Sequence, residues 1–159
     1  MRAAVLTVSD GVAAGVREDR SGDILASLLA EDGFDVERRI VADELEEIED
    51  AIVELSLLTT LILTTGGTGV APRDITPDAT ELLIDKLVPG IAQAIRADAI
   101  AKTPHGLLTR GVAGIRGRTL IVNLPGSPGG CSDGYAVLRP ALHHALELIA
   151  DEPTQHRQT

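Results

Sequence analysis

The sequence predicts a three-layer α/β fold, a mostly parallel sheet with helices on both faces. Two patterns carry that expectation. Short continuous apolar runs, such as residues 3–8 and 61–63, are too brief for buried helices and read as strands covered on both sides. Between such runs apolar residues recur at helical spacing. Strands that alternate with helices form right-handed βαβ units around a parallel sheet.

Residues 3–8 give the first strand, ending at Ser9-Asp10-Gly11. Ile24, Leu25, Leu28 and Leu29 mark a helix that Gly33 stops. Residues 36–41 read as a second strand, and Arg38 and Arg39 within it suggest a sheet edge. Leu45, Ile48, Ile52 and Leu55 form the next helical stripe, with acids near its start where the helix dipole favours them. A third strand at 61–63 ends in Thr64-Thr65-Gly66-Gly67-Thr68-Gly69. Thr76-Pro77 predicts a helix start, Thr as N-cap and Pro in the first position, running to about Lys86. Pro89-Gly90 interrupts, and Ile91, Ala94, Ile95 and Ala99 carry another helix. Residues 111–117 are weakly strand-like; 119–122 are a strong strand closed by Asn123-Leu124-Pro125-Gly126-Ser127-Pro128. A last helix is expected over about 133–150, kinked or restarted at Pro140, before a frayed tail at 151–159. The whole of 1–159 is read as one domain with its core in about 3–150.

Composition narrows the function. Phe34 and Tyr135 are the two aromatic residues, so a base-stacking nucleic-acid surface is excluded. A formal net charge of −10 repels nucleic acid and anionic membranes. No apolar run approaches a membrane span, Cys131 has no second cysteine to pair with, and the cytoplasm is the expected compartment. Any phosphate bound here has to be met locally, by backbone N–H groups, a few arginines and a divalent metal.

In parallel sheets, ligands bind beyond the carboxyl ends of the strands. Four predicted strands end there in the chain's glycine-, hydroxyl- and carboxylate-bearing turns: 9–11, 42–44, 64–69 and 123–127. The turn 64–69 exposes backbone N–H groups and adds hydroxyl donors; a tight strand-to-helix turn explains the glycines equally well. It is neither a P-loop nor the dinucleotide fingerprint, which disfavours a nicotinamide dehydrogenase. Asp74 beside such a cradle is costly unless a cation such as Mg²⁺ intervenes, and a metal or catalytic role is preferred to a loop-stabilising one. Asp78 fits the first turn of a helix. Asp43 reads first as an N-cap, and Asp10 as either a turn residue or a site residue. The turn 123–128, stiffened by two prolines, suits recognition of a polar heterocycle or a plain stop after a buried strand. The four histidines lack metal spacing, and Cys131 reads as a quiet thiol.

Taken together and in order, Val8-Ser9-Asp10, Thr64 to Gly69, Pro72 to Thr80 and Asn123 to Pro128 resemble the molybdopterin adenylyltransferase family (the Mog/MoaB group, similar to the G domains of Cnx1 and gephyrin). The resemblance covers about residues 3–150 and implies a molybdopterin-binding-like fold. It implies a cytoplasmic nucleotidyltransferase of molybdenum cofactor biosynthesis. The reaction it implies moves adenylyl from Mg²⁺-ATP to the terminal phosphate of molybdopterin, releasing pyrophosphate. It further implies a homotrimer and a downstream molybdate-inserting partner. By motif position Asp43 and Asp74 match the family's catalytic aspartates and are expected to act on Mg²⁺. The resemblance implies that Ser9, Asp10, Gly66, Gly67, Thr68, Gly69 and Asp78 belong to the pocket that binds nucleotide and pterin. Asn123, Pro125, Gly126 and Ser127 match a second wall. Thr109 stands where the family usually has Ser; it keeps the hydroxyl and adds a methyl. The competing reading is a non-catalytic pterin carrier or scaffold on the same fold.

Overall fold

A computed structural model of the chain describes residues 1–150; the tail expected at 151–159 lies outside the described residues. The chain runs β1 (Arg2–Val8), α1 (Asp10–Ala13), α2 (Arg20–Glu31), β2 (Asp35–Val41), α3 (Leu45–Ser56) and β3 (Leu61–Thr65). It continues with α4 (Thr76–Leu83), β4 (Lys86–Leu87), α5 (Pro89–Lys102), a 3₁₀ turn (Pro104–Leu108), β5 (Ala113–Arg116), β6 (Thr119–Leu124) and α6 (Pro128–Ala150). The sheet order is β2-β1-β3-β6-β5-β4. The first four strands are parallel, and β5 and β4 each pair antiparallel with the preceding neighbour. The sheet is therefore mostly parallel, as expected, and the arginine-bearing β2 is indeed at an edge.

Alternation along the buried strands divides the core in two. Val5, Leu63 and Val122 face Leu25 and Leu29 of α2 and Tyr135, Leu138 and Leu142 of α6. Leu6, Ile62 and Ile121 face Ile48, Ile52 and Leu55 of α3 and Ala79 of α4. Each of these fully covered Leu or Ile side chains contributes about 1.5–3 kcal/mol by burial, with aliphatic groups doing what aromatics do elsewhere. The chain's tyrosine, Tyr135, lies under α2 and donates to Asp32 Oδ2 (2.6 Å), which ties α6 to the end of α2. Burial pushes the Tyr135 hydroxyl's pKa up, and the donated bond holds Asp32 below the ordinary carboxylate value.

Three expectations are corrected. The helix at Thr76 ends at Leu83, because Lys86-Leu87 leave it to pair with Ile115 and Gly114. Thr76 is inside α4 and Ile75 is the N-cap residue, since the Thr76 N–H is taken by Gly67 O (3.1 Å). The last helix begins at Pro128 and runs through Pro140 without a break in its assignment. Proline at a first helical position has no N–H to satisfy, and Ser127 Oγ accepts from Gly130 N–H (3.1 Å), so the helix nucleates earlier than its apolar stripe suggests.

Candidate active site

Parallel pairing aligns Val8 with Val41, Thr7 with Thr65, and Thr65 with Leu124, so the turns that follow β1, β2, β3 and β6 emerge side by side. The glycine turn is shaped by sterics. Gly66 has φ +96, and a Cβ there would run into the carbonyl of Val8. Gly67 has φ +67, and a Cβ there would meet Thr76 Oγ1 and stand 3.3 Å from Asp43 Oδ1. The bare turn is thus what allows β1, the β2–α3 turn and α4 to crowd together.

Asp43 does not cap α3; Glu44 is the N-cap residue and makes no side-chain capping bond. Instead Asp10 and Asp43 are locked reciprocally. Asp10 N–H donates to Asp43 Oδ2 (2.8 Å), and Asp43 N–H donates to Asp10 Oδ1 (3.0 Å). Arg73 forks onto Asp10 from Nε (2.7 Å) and Nη2 (3.0 Å), and Nη2 also reaches Glu44 Oε1 (2.9 Å). The Arg73 bonds hold the Asp10 carboxyl below its ordinary pKa, with help from Asp43 N–H. Asp43 goes the other way. Burial raises its pKa, and the negative charges of Asp10 and Asp74 add to the effect. The Asp10 N–H and the Arg73 charge oppose that shift without cancelling it.

Asp74 lies in the loop before α4. Its Oδ2 accepts from Ala71 N–H (2.9 Å), so part of its work is to close the loop. The hydroxyl of Thr76, fully buried beside Gly67, has no hydrogen-bond partner among the described residues.

Two cavities meet at Asp74. One, of about 650 Å³, is polar; Ser9, Asp43, Gly66, Gly67 and Gly126 line it, as do Arg17, Asp19, Arg20 and Ser21. The other, of about 680 Å³, is largely apolar, walled by Ala92, Ile95 and Ala99 of α5, by Leu108, and by Thr68, Gly69, Thr109, Asn123, Pro125 and Ser127. Asp74 lines both, and the glycine turn is the partition between them.

A chain with this fold and this rim can be compared with known proteins. Residues 4–144 match the family described as "Probable molybdopterin binding domain". The chain belongs to this family. Among relatives of this molybdopterin-binding family is the molybdopterin adenylyltransferase of Helicobacter pylori (strain ATCC 700392 / 26695), 37% identical over 150 residues, covering 91% of this chain and 85% of that one. A second is gephyrin of Dictyostelium discoideum, 37% identical over 161 residues; the match covers 94% of this chain but 22% of that longer protein. Among solved structures, the molybdopterin biosynthesis Mog protein of Mycobacterium ulcerans superposes with a TM-score of 0.89 at 44% identity, covering 94% of this chain and 99% of the other.

Within this family fold, the residues singled out from sequence divide into two groups. Asp43, Asp74, Ser9, Gly66, Gly67 and Gly126 are together at the polar cavity, and Thr68, Gly69, Thr109, Asn123, Pro125 and Ser127 at the apolar one. Several, however, have their polar atoms engaged inside the protein. Asn123 Nδ2 donates to Thr64 and Thr80 Oγ1 (3.0 Å each), and its Oδ1 accepts from Val112 N–H. Ser9 Oγ caps α1 through Val12 N–H (3.2 Å). Asp10 and Asp78 line neither cavity; Asp78 is taken by Arg110 Nη2 (2.9 Å), which lowers its pKa. Cys131 is buried against Thr65 and the Pro125 carbonyl, and burial raises its thiol pKa. Arg17 and the α5 wall have no signal in the sequence, because the first lies in an unpatterned loop and the second is built from ordinary alanines and isoleucine.

Proposed function

We propose that the chain transfers the adenylyl group of ATP to the terminal phosphate of molybdopterin, and that Asp43 and Asp74 would hold the Mg²⁺ that accompanies the nucleotide. The observation that carries this reading is Asp74 standing where the polar and apolar cavities meet, with the Asp43 carboxylate on the same polar wall. A phosphate oxygen of the pterin substrate attacks the α-phosphorus of ATP; that P–O bond forms as the α–β P–O bond breaks, and pyrophosphate leaves with the electron pair.

The residues present fit the metal. Mg²⁺ typically takes one or two carboxylates together with substrate phosphates, and Asp43 and Asp74 both line the polar cavity. Asp43, pushed up in pKa by burial and by Asp10 and Asp74, is a carboxylate that a cation would relieve. The unpartnered Thr76 hydroxyl lies beside Gly67, next to Asp43. When bound, Mg²⁺ offsets the charge on the phosphates and on the leaving pyrophosphate. The chain's own groups do the positioning that phosphoryl chemistry chiefly needs. The Gly66-Gly67 turn lets phosphates approach the backbone. Arg17, exposed at the polar cavity and without a carboxylate partner among the described residues, offers the positive charge that a P-loop lysine offers elsewhere. The apolar cavity gives an aliphatic wall for a flat heterocycle, since Phe34 and Tyr135 are both buried in the core.

The homotrimer, the cytoplasmic location and hand-over to a molybdate-inserting partner belong to the same reading.

The test is pyrophosphate release from ATP with molybdopterin present, with and without Mg²⁺. Release should need all three, and Asp74→Asn should lower turnover by about 10²-fold or more. Near-normal turnover in that variant sinks the role given to Asp74. Tight pterin binding with no ATP consumption would point to the carrier reading instead.

A further inference from the structure

Arg110 follows the 3₁₀ turn and adjoins Thr109 on the apolar wall, but itself lines neither cavity. Its backbone N–H donates to Thr68 O (2.8 Å). Its guanidinium donates from Nε to Gly69 O (2.8 Å) and from Nη2 to Asp74 O (2.6 Å). The same group forks onto the Asp78 carboxylate from Nη1 (3.3 Å) and Nη2 (2.9 Å). One residue therefore grips the start of the loop at 68–69, its end at Asp74, and the first turn of α4. Asp74 itself belongs to no helix or strand. On the other side the loop is pinned by Arg73 to Asp10, whose N–H in turn orients Asp43.

We propose that Arg110 is a positioning residue, whose fork onto Gly69 O, Asp74 O and Asp78 sets where the Asp74 carboxylate stands between the two cavities. This rests on the reading of Asp43 and Asp74 as the Mg²⁺ site. The ion pair with Asp78 is half-exposed on both sides, so its charge alone contributes little. The weight falls on the two carbonyl bonds, which need donors spread in a plane. Arginine supplies five in a rigid fork; lysine supplies a point charge on a flexible stem.

The experiment measures the affinity of α,β-methylene-ATP, which cannot be cleaved at the bond in question, by calorimetry with and without Mg²⁺. In the wild-type protein Mg²⁺ should tighten binding. Arg110→Ala should lose about tenfold of that Mg²⁺-dependent gain, as outer partners of metal ligands typically do, with metal-free affinity unchanged. Arg110→Lys keeps the charge and serves as the folded comparison, checked by its melting curve; it should show the same loss. A full Mg²⁺-dependent gain in either variant overturns the proposal, because charge or nothing would then be enough. A wild-type protein with no Mg²⁺-dependent gain overturns the metal reading itself, and the inference with it.

Discussion

Substituting Gly66 by alanine tests whether the glycine turn is a catalytic surface or only a connection. At φ +96 an L-residue is strained by about 1–3 kcal/mol. The new Cβ also meets the carbonyl oxygen of Val8, a backbone atom of a central strand that has little room to move. Gly33 is the matched control: its φ is +86, but no atom lies within 4 Å of a Cβ built there. Gly33→Ala should show the strain alone, lowering the melting temperature by roughly 2–12 °C at about 2–4 °C per kcal/mol, with turnover unchanged. Gly66→Ala should lose at least as much stability and also displace the turn. A shift of about 1 Å between reacting groups costs on the order of 10²-fold in rate, so turnover should fall by about that factor. Calorimetry and pyrophosphate release measured on both variants separate the two effects. If Gly66→Ala melts lower yet turns over like Gly33→Ala, the turn has no part in positioning phosphate.

Asp43 has to be ionised to hold a cation, and burial together with Asp10 and Asp74 raises its pKa, against the pull of Arg73. The acid limb of the wild-type kcat/KM profile should therefore lie above the ordinary aspartate range, and a limb within that range would refute the role given to Asp43. The same raised pKa means the folded state holds this proton longer than the unfolded chain does, so this group's contribution to stability falls as pH rises through that range. Asp43→Asn should accordingly melt no lower than wild type at neutral pH while losing activity; a lower melting temperature would contradict the sign. Arg17→Ala should raise KM for ATP by about tenfold at low salt and flatten its salt dependence, as loss of one charge-assisted phosphate contact would. An unchanged KM removes Arg17 from the phosphate site.

Much of the architecture was legible because it depends on short-range pattern. Continuous apolar runs at 3–8, 61–63 and 119–122 can be satisfied only by strands covered on both faces, and those three occupy the middle of the sheet together. Element ends were less legible. The sequence carries the helix from Thr76 on to about Lys86 because nothing nearby shows that β5 offers residues 86–87 a pairing edge, and it makes Thr76 the N-cap because the competing bond to Gly67 comes from nine residues upstream. The side chains that organise the rim were hidden for the same reason. Arg73 and Arg110 look like ordinary surface cations until folding brings Asp10 and Glu44 to one, and Gly69, Asp74 and Asp78 to the other.

By itself the sequence determined the alternation of strands and helices and the aliphatic core. It also determined which four turns emerge at one rim, because chain direction along a parallel strand decides which end its turn leaves. The tertiary structure alone decided which polar atoms remain available there. The Asp10 and Asp78 carboxylates and the Asn123 amide N–H groups are occupied by partners 32 or more residues away, whereas half-buried Asp43 accepts from Asp10 N–H and faces the like charges of Asp10 and Asp74. Hydrogen bonds and Coulomb energies act over a few ångströms in space, and distance along the chain does not report them.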